Sequence, residues 1–82
     1  MSSLSENIVG ILSEILDIPK DHLTLSEKLA DLGVTSFDII RFVIVFEEKY
    51  NVKVSDEDLY PDNYITIKAI TDTLSAYVEE KD

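Results

Sequence analysis

Hydrophobic residues recur at spacings of three and four positions in three stretches of the chain, which is the period of a helix packed on one face. In the first stretch these residues are Leu4, Ile8, Ile11, Leu12 and Ile15. Ser3 and Glu6 have the spacing of a capping box, so we expect this helix to begin near Ser3. Pro19 disfavours helical geometry at the residue before it, and the helix should therefore end near Asp17.

The second apolar stretch predicts a helix from Ser36 to about Tyr50. Thr35, followed three residues later by Asp38, has the spacing of an N-terminal box, and Asn51 is a suitable exit residue. One face should join the core: Ile39, Phe42, Val43, Phe46 and Tyr50. Three further apolar residues widen this arc beyond the needs of a small bundle: Phe37, Ile40 and Ile44. Either the preceding loop covers this extra face, or the face contacts partners or a hydrophobic cargo.

The remaining segments predict a last helix, a short acidic helix and a long loop. Thr66 is expected to cap the last helix, and Ser55 the short acidic one, which Pro61 breaks. The buried stripe of the last helix comprises Ile67, Ile70, Leu74 and either Tyr77 or Val78. Residues 18–35 carry five spaced aliphatic side chains, which predicts an ordered loop pinned onto the core with a short turn at 26–29. The expected fold is all-α: a small four-helix bundle of three main helices and one short helix, with a long first loop.

Length and charge narrow the possible functions. Eighty-two residues make one small domain, which we expect to span residues 1–82. With 17 acidic against 7 basic residues and a net charge of −10, the chain is unsuited to binding nucleic acid. No apolar stretch is long enough for a membrane helix, so we expect no membrane insertion. We expect a cytoplasmic protein, because the chain lacks a signal segment and cysteine. We also expect a monomer.

Catalytic and metal-binding chemistry find little support in the composition. The chain has no cysteine and a single histidine, His22, which excludes thiolate sites and two-histidine metal sites. The acidic segment 56–58 lacks the spacing and the glycine of a calcium-binding EF-hand loop. A relay of Ser36, His22 and an acid is conceivable, but no glycine cluster that would form an oxyanion hole accompanies it. We therefore expect no catalytic residue and no metal ligand.

Ser36 stands out because it lies at the expected start of the second helix, after a turn that Gly33 permits. A helix N-terminus offers free N–H groups and the positive end of the helix dipole, so an anionic group attached to the Ser36 hydroxyl would be stabilised there. From the residues alone, Ser36 is either such an attachment point or merely a capping hydroxyl. The acidic residues from Glu47 to Asp62 are likewise either a solvated face or a surface that steers basic partners.

The segment 31–37, DLGVTSF, resembles the signature of the acyl carrier protein family, which includes peptidyl and D-alanyl carriers. The similarity extends over nearly the whole chain, about 75 residues. The resemblance implies that Ser36 accepts 4′-phosphopantetheine from coenzyme A, and that acyl or aminoacyl groups are held as thioesters on the terminal thiol. It also implies that the chain is not itself an enzyme, and that Asp31, Gly33 and Thr35 shape the turn before the serine.

The same resemblance implies three kinds of partner: a phosphopantetheinyl transferase, an acyl- or aminoacyl-activating ligase, and downstream enzymes that use the acyl group. The face they would contact comprises Phe37, Asp38, Ile40, Arg41, Ile44, Glu47 and Glu48. Two residues depart from many fatty-acid carriers, which have Asp in place of Thr35 and an acid in place of Arg41. With the long, aromatic segment 59–66, these departures favour a stand-alone carrier in a specialised pathway of the polyketide, non-ribosomal peptide or lipid-like kind. The alternative is an unmodified, acidic helical adaptor for protein interactions.

Overall fold

The computed structural model describes residues 3–78 as three α-helices joined by loops and short 3-10 turns. The helices are α1 (Ser3–Leu16), α2 (Ser36–Tyr50) and α3 (Ile67–Leu74). The 3-10 turns are Lys20–His22, Leu29–Leu32, Asp56–Leu59, Pro61–Tyr64 and Ser75–Tyr77. α1 packs against both α2 and α3, and the pairing between extended segments within residues 3–78 is one isolated antiparallel bridge between Lys28 and Thr66. The predicted all-α bundle with a long first loop is confirmed.

α1 lies on the core with the predicted stripe. Its buried apolar residues are Leu4, Ile8, Val9, Ile11 and Leu12, and Ile15 is partly buried. The helix ends at Leu16 because Asp17 adopts a left-handed conformation with φ of 56°, and the Ile18 N–H then donates to the Ser13 carbonyl at 3.3 Å. The capping box of Ser3 and Glu6 lies at the edge of the described residues and stays a prediction.

The long first loop, residues 17–35, is pinned onto the core as predicted. Leu23 and Leu29 are buried. Two backbone hydrogen bonds tie the loop to the beginning of α3: the Leu29 N–H donates to the Ile65 carbonyl at 2.8 Å, and the Lys68 N–H donates to the Leu25 carbonyl at 2.9 Å. The loop therefore behaves as a structural element of the bundle although it has almost no regular structure.

The short turn within this loop is three residues later than predicted. The 3-10 turn is Leu29–Leu32, not 26–29. Lys28 has extended backbone geometry, since it pairs with Thr66, and this pairing prevents a turn from forming across it. A bridge to a residue so distant in sequence leaves no local pattern, so the sequence alone predicts the turn at the wrong position.

Thr35 and Asp38 form the predicted capping box at the start of α2. The Asp38 N–H donates to the Thr35 hydroxyl at 3.3 Å, and the Thr35 N–H donates to the Asp38 carboxylate at 3.0 Å. The hydrogen bond from the Thr35 backbone is the largest cause that lowers the pKa of Asp38, and Arg41 contributes in the same direction. At the other end, Asn51 adopts a left-handed conformation with φ of 55° and ends the helix as predicted.

The core face of α2 is narrower than predicted. Phe42, Val43 and Phe46 are buried, whereas Ile39 and Tyr50 are only partly buried against the core. The rings of Phe42 and Phe46 have centroids 6.1 Å apart, and those of Phe46 and Tyr50 are 4.6 Å apart, so the three form a continuous aromatic row along the helix.

The predicted short acidic helix is present as a 3-10 turn, Asp56–Leu59, and a second 3-10 turn, Pro61–Tyr64, follows it. Tyr60 separates them with an extended backbone, because a residue that precedes proline is disfavoured from helical geometry. Pro61 therefore breaks the first turn, as predicted, but also begins the second.

Two of the predicted caps in this part of the chain are present. The Ser55 hydroxyl accepts from the Glu57 N–H, and the Thr66 hydroxyl accepts from the Ala69 N–H at 3.0 Å. α3 ends at Leu74, so Tyr77 and Val78 follow it in a 3-10 turn and a bend and are partly buried, rather than continuing its helical stripe.

Replacing Leu29 by alanine should destabilise the fold by about 2–5 kcal/mol, because it removes a buried side chain that holds the loop onto the core. The measurement is urea denaturation followed by circular dichroism. The control is Ile44→Ala, which truncates a half-exposed side chain and should change the free energy of unfolding by about 0.5 kcal/mol or less. Equal losses in the two variants would show that the loop is not pinned through Leu29.

The stability conferred by Asp38 should depend on pH. Its pKa is lowered in the folded state from 3.8, so its contribution is complete above 3.8 and is lost as the pH falls through the folded-state pKa. Asp38→Asn should therefore unfold more easily than the parent chain near pH 6. The difference should shrink below pH 3.8. Thermal melts from pH 6 down to strong acid measure it, and a difference that grows in acid would contradict the capping box.

Candidate functional site

The turn before α2 presents the hydroxyl of Ser36 to solvent. Ser36 is the first residue of α2 and is exposed. Gly33 ends the 3-10 turn Leu29–Leu32 in a left-handed conformation with φ of 85°, which L side chains rarely adopt. Asp31 is exposed on that turn, and Thr35 caps the helix that follows. The structure thus places all four residues predicted for the turn motif at one end of α2.

The electrostatic field at this end of α2 favours a negatively charged substituent. The free N–H groups and the positive end of the dipole of a 15-residue helix lie at Ser36. Asp38 is the acidic residue of the first turn, but its carboxylate accepts from Thr35 and lies 3.6 Å from the Arg41 guanidinium. The negative charge of Asp38 is thus partly offset. The positive end of the helix therefore still favours an anionic group on the Ser36 hydroxyl.

Next to Ser36, one face of α2 carries three large apolar side chains in solvent. Phe37 is 67% exposed, Ile40 57% and Ile44 51%. The interpretation that the long first loop covers this face is therefore wrong, because the loop is instead held toward α3 by its hydrogen bonds to Ile65 and Lys68. A row of apolar side chains at positions i, i+3 and i+7 forms one continuous contact surface.

The charged residues of this face have unequal roles. Arg41 is exposed and its guanidinium lies 5.9 Å from the centroid of the Phe37 ring. Glu48 is also exposed. Glu47, in contrast, is half-buried, and its carboxylate accepts from the Val54 N–H at 2.9 Å. Asp38 and Glu47 thus stabilise the fold itself, whereas Arg41 and Glu48 are available to partners. The sequence predicted this role for Asp38, as part of the capping box, but not for Glu47.

A cavity of about 350 Å³ opens beside Ser36, between the start of α2, the long first loop and the turn Pro61–Tyr64. Its walls include Leu29, Val34, Ile39, Ile40, Tyr64 and Ile65. A second cavity, of about 220 Å³, lies further along α2 and shares Ile39, Ile40, Leu59 and Tyr64 with the first. Sequence reasoning missed these cavities because they are bounded by elements that are far apart in the chain.

The sequence also raises the questions of a metal site, of a catalytic relay through His22 and of a membrane helix. Within residues 3–78, no cluster of three or more histidine or acidic side chains has an arrangement that could hold a metal ion. His22 is exposed on the turn Lys20–His22. The helices in the described part of the chain are also too short or too polar to cross a bilayer.

Comparisons with known proteins identify the family of the chain. Residues 6–74 match the family model of the phosphopantetheine attachment site. The chain is similar to an acyl carrier protein of Buchnera aphidicola, with 28% identity over 79 residues, which are 95% of this chain and 99% of the relative. It is 31% identical over 80 residues to one of Azobacteroides pseudotrichonymphae, covering 96% of this chain and 88% of the relative.

A further relative, an acyl carrier protein of Akkermansia muciniphila, is 29% identical over 80 residues, or 96% of this chain and 92% of the relative. No solved structure matches the chain significantly. The family model extends from α1 to the end of α3, and each of the three relatives is matched over most of its length. The chain belongs to the acyl carrier protein family, whose members bear a 4′-phosphopantetheine group and have no catalytic activity of their own.

Proposed function

We propose that this chain is an acyl carrier protein whose 4′-phosphopantetheine arm is attached to Ser36. The observation that carries the assignment is the position of Ser36, an exposed hydroxyl at the first residue of α2 inside the segment matched by the family model. The chain contains no cysteine, so a thioester requires a thiol supplied by the arm. The sulfur that carries the cargo therefore belongs to the prosthetic group.

The attachment reaction forms a phosphodiester at the Ser36 oxygen. A phosphopantetheinyl transferase moves the phosphopantetheine group from coenzyme A to the hydroxyl, the hydroxyl proton is lost to a base of that enzyme, and adenosine 3′,5′-bisphosphate leaves. This chain supplies the hydroxyl in an accessible position. It also supplies a helix N-terminus that stabilises the new negative charge.

The surface proposed for the partner enzymes is the exposed face of α2. Its centre is apolar, formed by Phe37, Ile40 and Ile44, and its exposed charges are Arg41 and Glu48. An apolar centre with a charged margin is the usual composition of a protein interface. Asp38 and Glu47 belong to the same face but are occupied within the chain, so we expect them to affect partners chiefly through the stability of α2.

We further propose that the carrier serves a specialised pathway that transfers acyl or aminoacyl groups. Three features support this assignment: Thr35 directly before the serine, Arg41 on the partner face, and the aromatic segment 59–66. Tyr60 in that segment is 72% exposed. A basic residue on the contact face repels a basic partner, so the set of partners should differ from that of an acidic fatty-acid carrier.

Ser36→Ala should abolish attachment of the arm, whereas the parent chain should gain one phosphopantetheine group. Intact-mass spectrometry after incubation with coenzyme A and a transferase of broad specificity measures this. The matched control is Ser55→Ala, which removes another exposed serine at the start of a 3-10 turn and should leave attachment unchanged. A parent chain that gains no arm, and yet binds partners equally with and without Ser36, would favour the unmodified adaptor instead.

Arg41→Glu should shift partner preference toward enzymes that act on acidic fatty-acid carriers. We expect kcat/KM for phosphopantetheinylation by a transferase of fatty-acid synthesis to rise by about two- to fivefold, since an exposed charge pair contributes modestly. Lys49→Glu makes the same charge change elsewhere on α2 and should have a smaller effect. If both substitutions raise kcat/KM equally, the effect comes from net charge, and Arg41 does not contact the partner.

A further inference from the structure

Tyr64 forms part of the wall of both cavities beside the proposed attachment point. The larger cavity reaches Ser36, and the smaller one extends along α2 to Glu47 and Val54. The two cavities have volumes of about 350 and 220 Å³. Together they provide a space within the size range of small-molecule sites. An arm attached at Ser36 that folds back into this space would bring its cargo to the surroundings of Tyr64.

The hydroxyl of Tyr64 is a buried donor without a partner. Tyr64 is only 4% exposed, and among the described residues its hydroxyl is a buried side-chain group that makes no hydrogen bond. Burial raises the pKa of Tyr64 to about 12, and Asp58, Tyr77 and Glu47 contribute in the same direction. The hydroxyl therefore keeps its proton at neutral pH and can donate a hydrogen bond to an acceptor that displaces the groups covering it.

The polar groups that face Tyr64 are already engaged with other groups. The Asp58 carboxylate accepts from the Tyr77 hydroxyl, which itself accepts from the Ser55 N–H at 2.9 Å. The Glu47 carboxylate accepts from the Val54 N–H. A phenylalanine at position 64 would fill the same space without an unpaired donor, so the fold itself gains nothing from the hydroxyl.

We infer that Tyr64 donates a hydrogen bond to an oxygen of the cargo, so that this carrier favours oxo-substituted acyl chains over saturated ones. The inference rests on the proposed attachment at Ser36 and names the class of group carried there. The alkyl part of a saturated chain offers no acceptor to the Tyr64 hydroxyl, whereas a ketone oxygen at the same place accepts a hydrogen bond from it. A site that contains a buried hydrogen-bonding group discriminates against ligands that cannot pair with it.

The test compares matched cargoes on the intact chain. The protein is loaded from synthetic coenzyme A thioesters with an octanoyl group, or with octanoyl groups bearing a ketone at the third, fifth or seventh carbon. Protection of each thioester from exchange with 2-mercaptoethanol is measured relative to the same acyl group on free pantetheine, which removes differences in intrinsic reactivity. The protection ratio is the protection of the oxo cargo divided by that of the saturated cargo on the same protein. At one or more ketone positions, we expect this ratio to be about fivefold higher in the parent protein than in Tyr64→Phe.

The matched control is Tyr60→Phe, which removes the hydroxyl of a largely exposed tyrosine and should leave these ratios unchanged. As a second measurement, Tyr64→Phe without cargo should melt a few degrees higher than the parent chain, because the unpaired buried hydroxyl is gone. The inference is overturned if every ketone position gives the same ratio in the parent chain and in Tyr64→Phe. Failure of the proposed function is a separate result, since mass spectrometry would then show no arm on Ser36.

Discussion

The hydrogen bonds that tie the long first loop to the beginning of α3 are the constraint on which the site depends. They join Leu29 to Ile65 and Leu25 to Lys68, and buried Leu29 adds an apolar anchor at the same point. With the loop held there, the turn after Leu29 delivers Gly33 and Thr35 to the start of α2. With the loop in this position, Phe37, Ile40 and Ile44 on the outer face of that helix stay largely uncovered. The attachment of the loop therefore determines both where Ser36 lies and which side chains around it remain exposed.

α2 consequently has two apolar faces with different purposes. The inner face, with Phe42 and Phe46, is fully buried and holds the helix in the bundle. The outer face keeps Phe37, Ile40 and Ile44 largely in water, an arrangement that contributes little to folding and suits contact with other proteins. Because one helix carries both faces and the serine, an enzyme that bound the outer face would lie next to the proposed attachment point of the arm at Ser36.

Local patterns predicted the parts of this structure that depend on neighbours in sequence. The helix starts at Thr35 and Thr66 follow from a hydroxyl that accepts an N–H three residues later, and both were predicted. The position of the turn Leu29–Leu32 depends instead on the distant pairing of Lys28 with Thr66. The division between the two 3-10 turns near Pro61 depends on a single extended residue, Tyr60. The structural role of Glu47 also escaped prediction, because its acceptor function is set by the path of the chain back to Val54.

The segment 56–64 shows how the fold and its function compete for the same residues. The Tyr77 hydroxyl donates to the Asp58 carboxylate and so ties this segment to the turn after α3. Just before the segment, the Val54 N–H donates to the Glu47 carboxylate. These carboxylates are bonded to other groups, and neither accepts a hydrogen bond from the Tyr64 hydroxyl, which is unpaired. In a domain of this size, whose total stability is small, such a group lowers stability by about 1–3 kcal/mol. A residue that costs stability beside a functional cavity, where phenylalanine would fit, is better explained by what enters the cavity than by the packing around it.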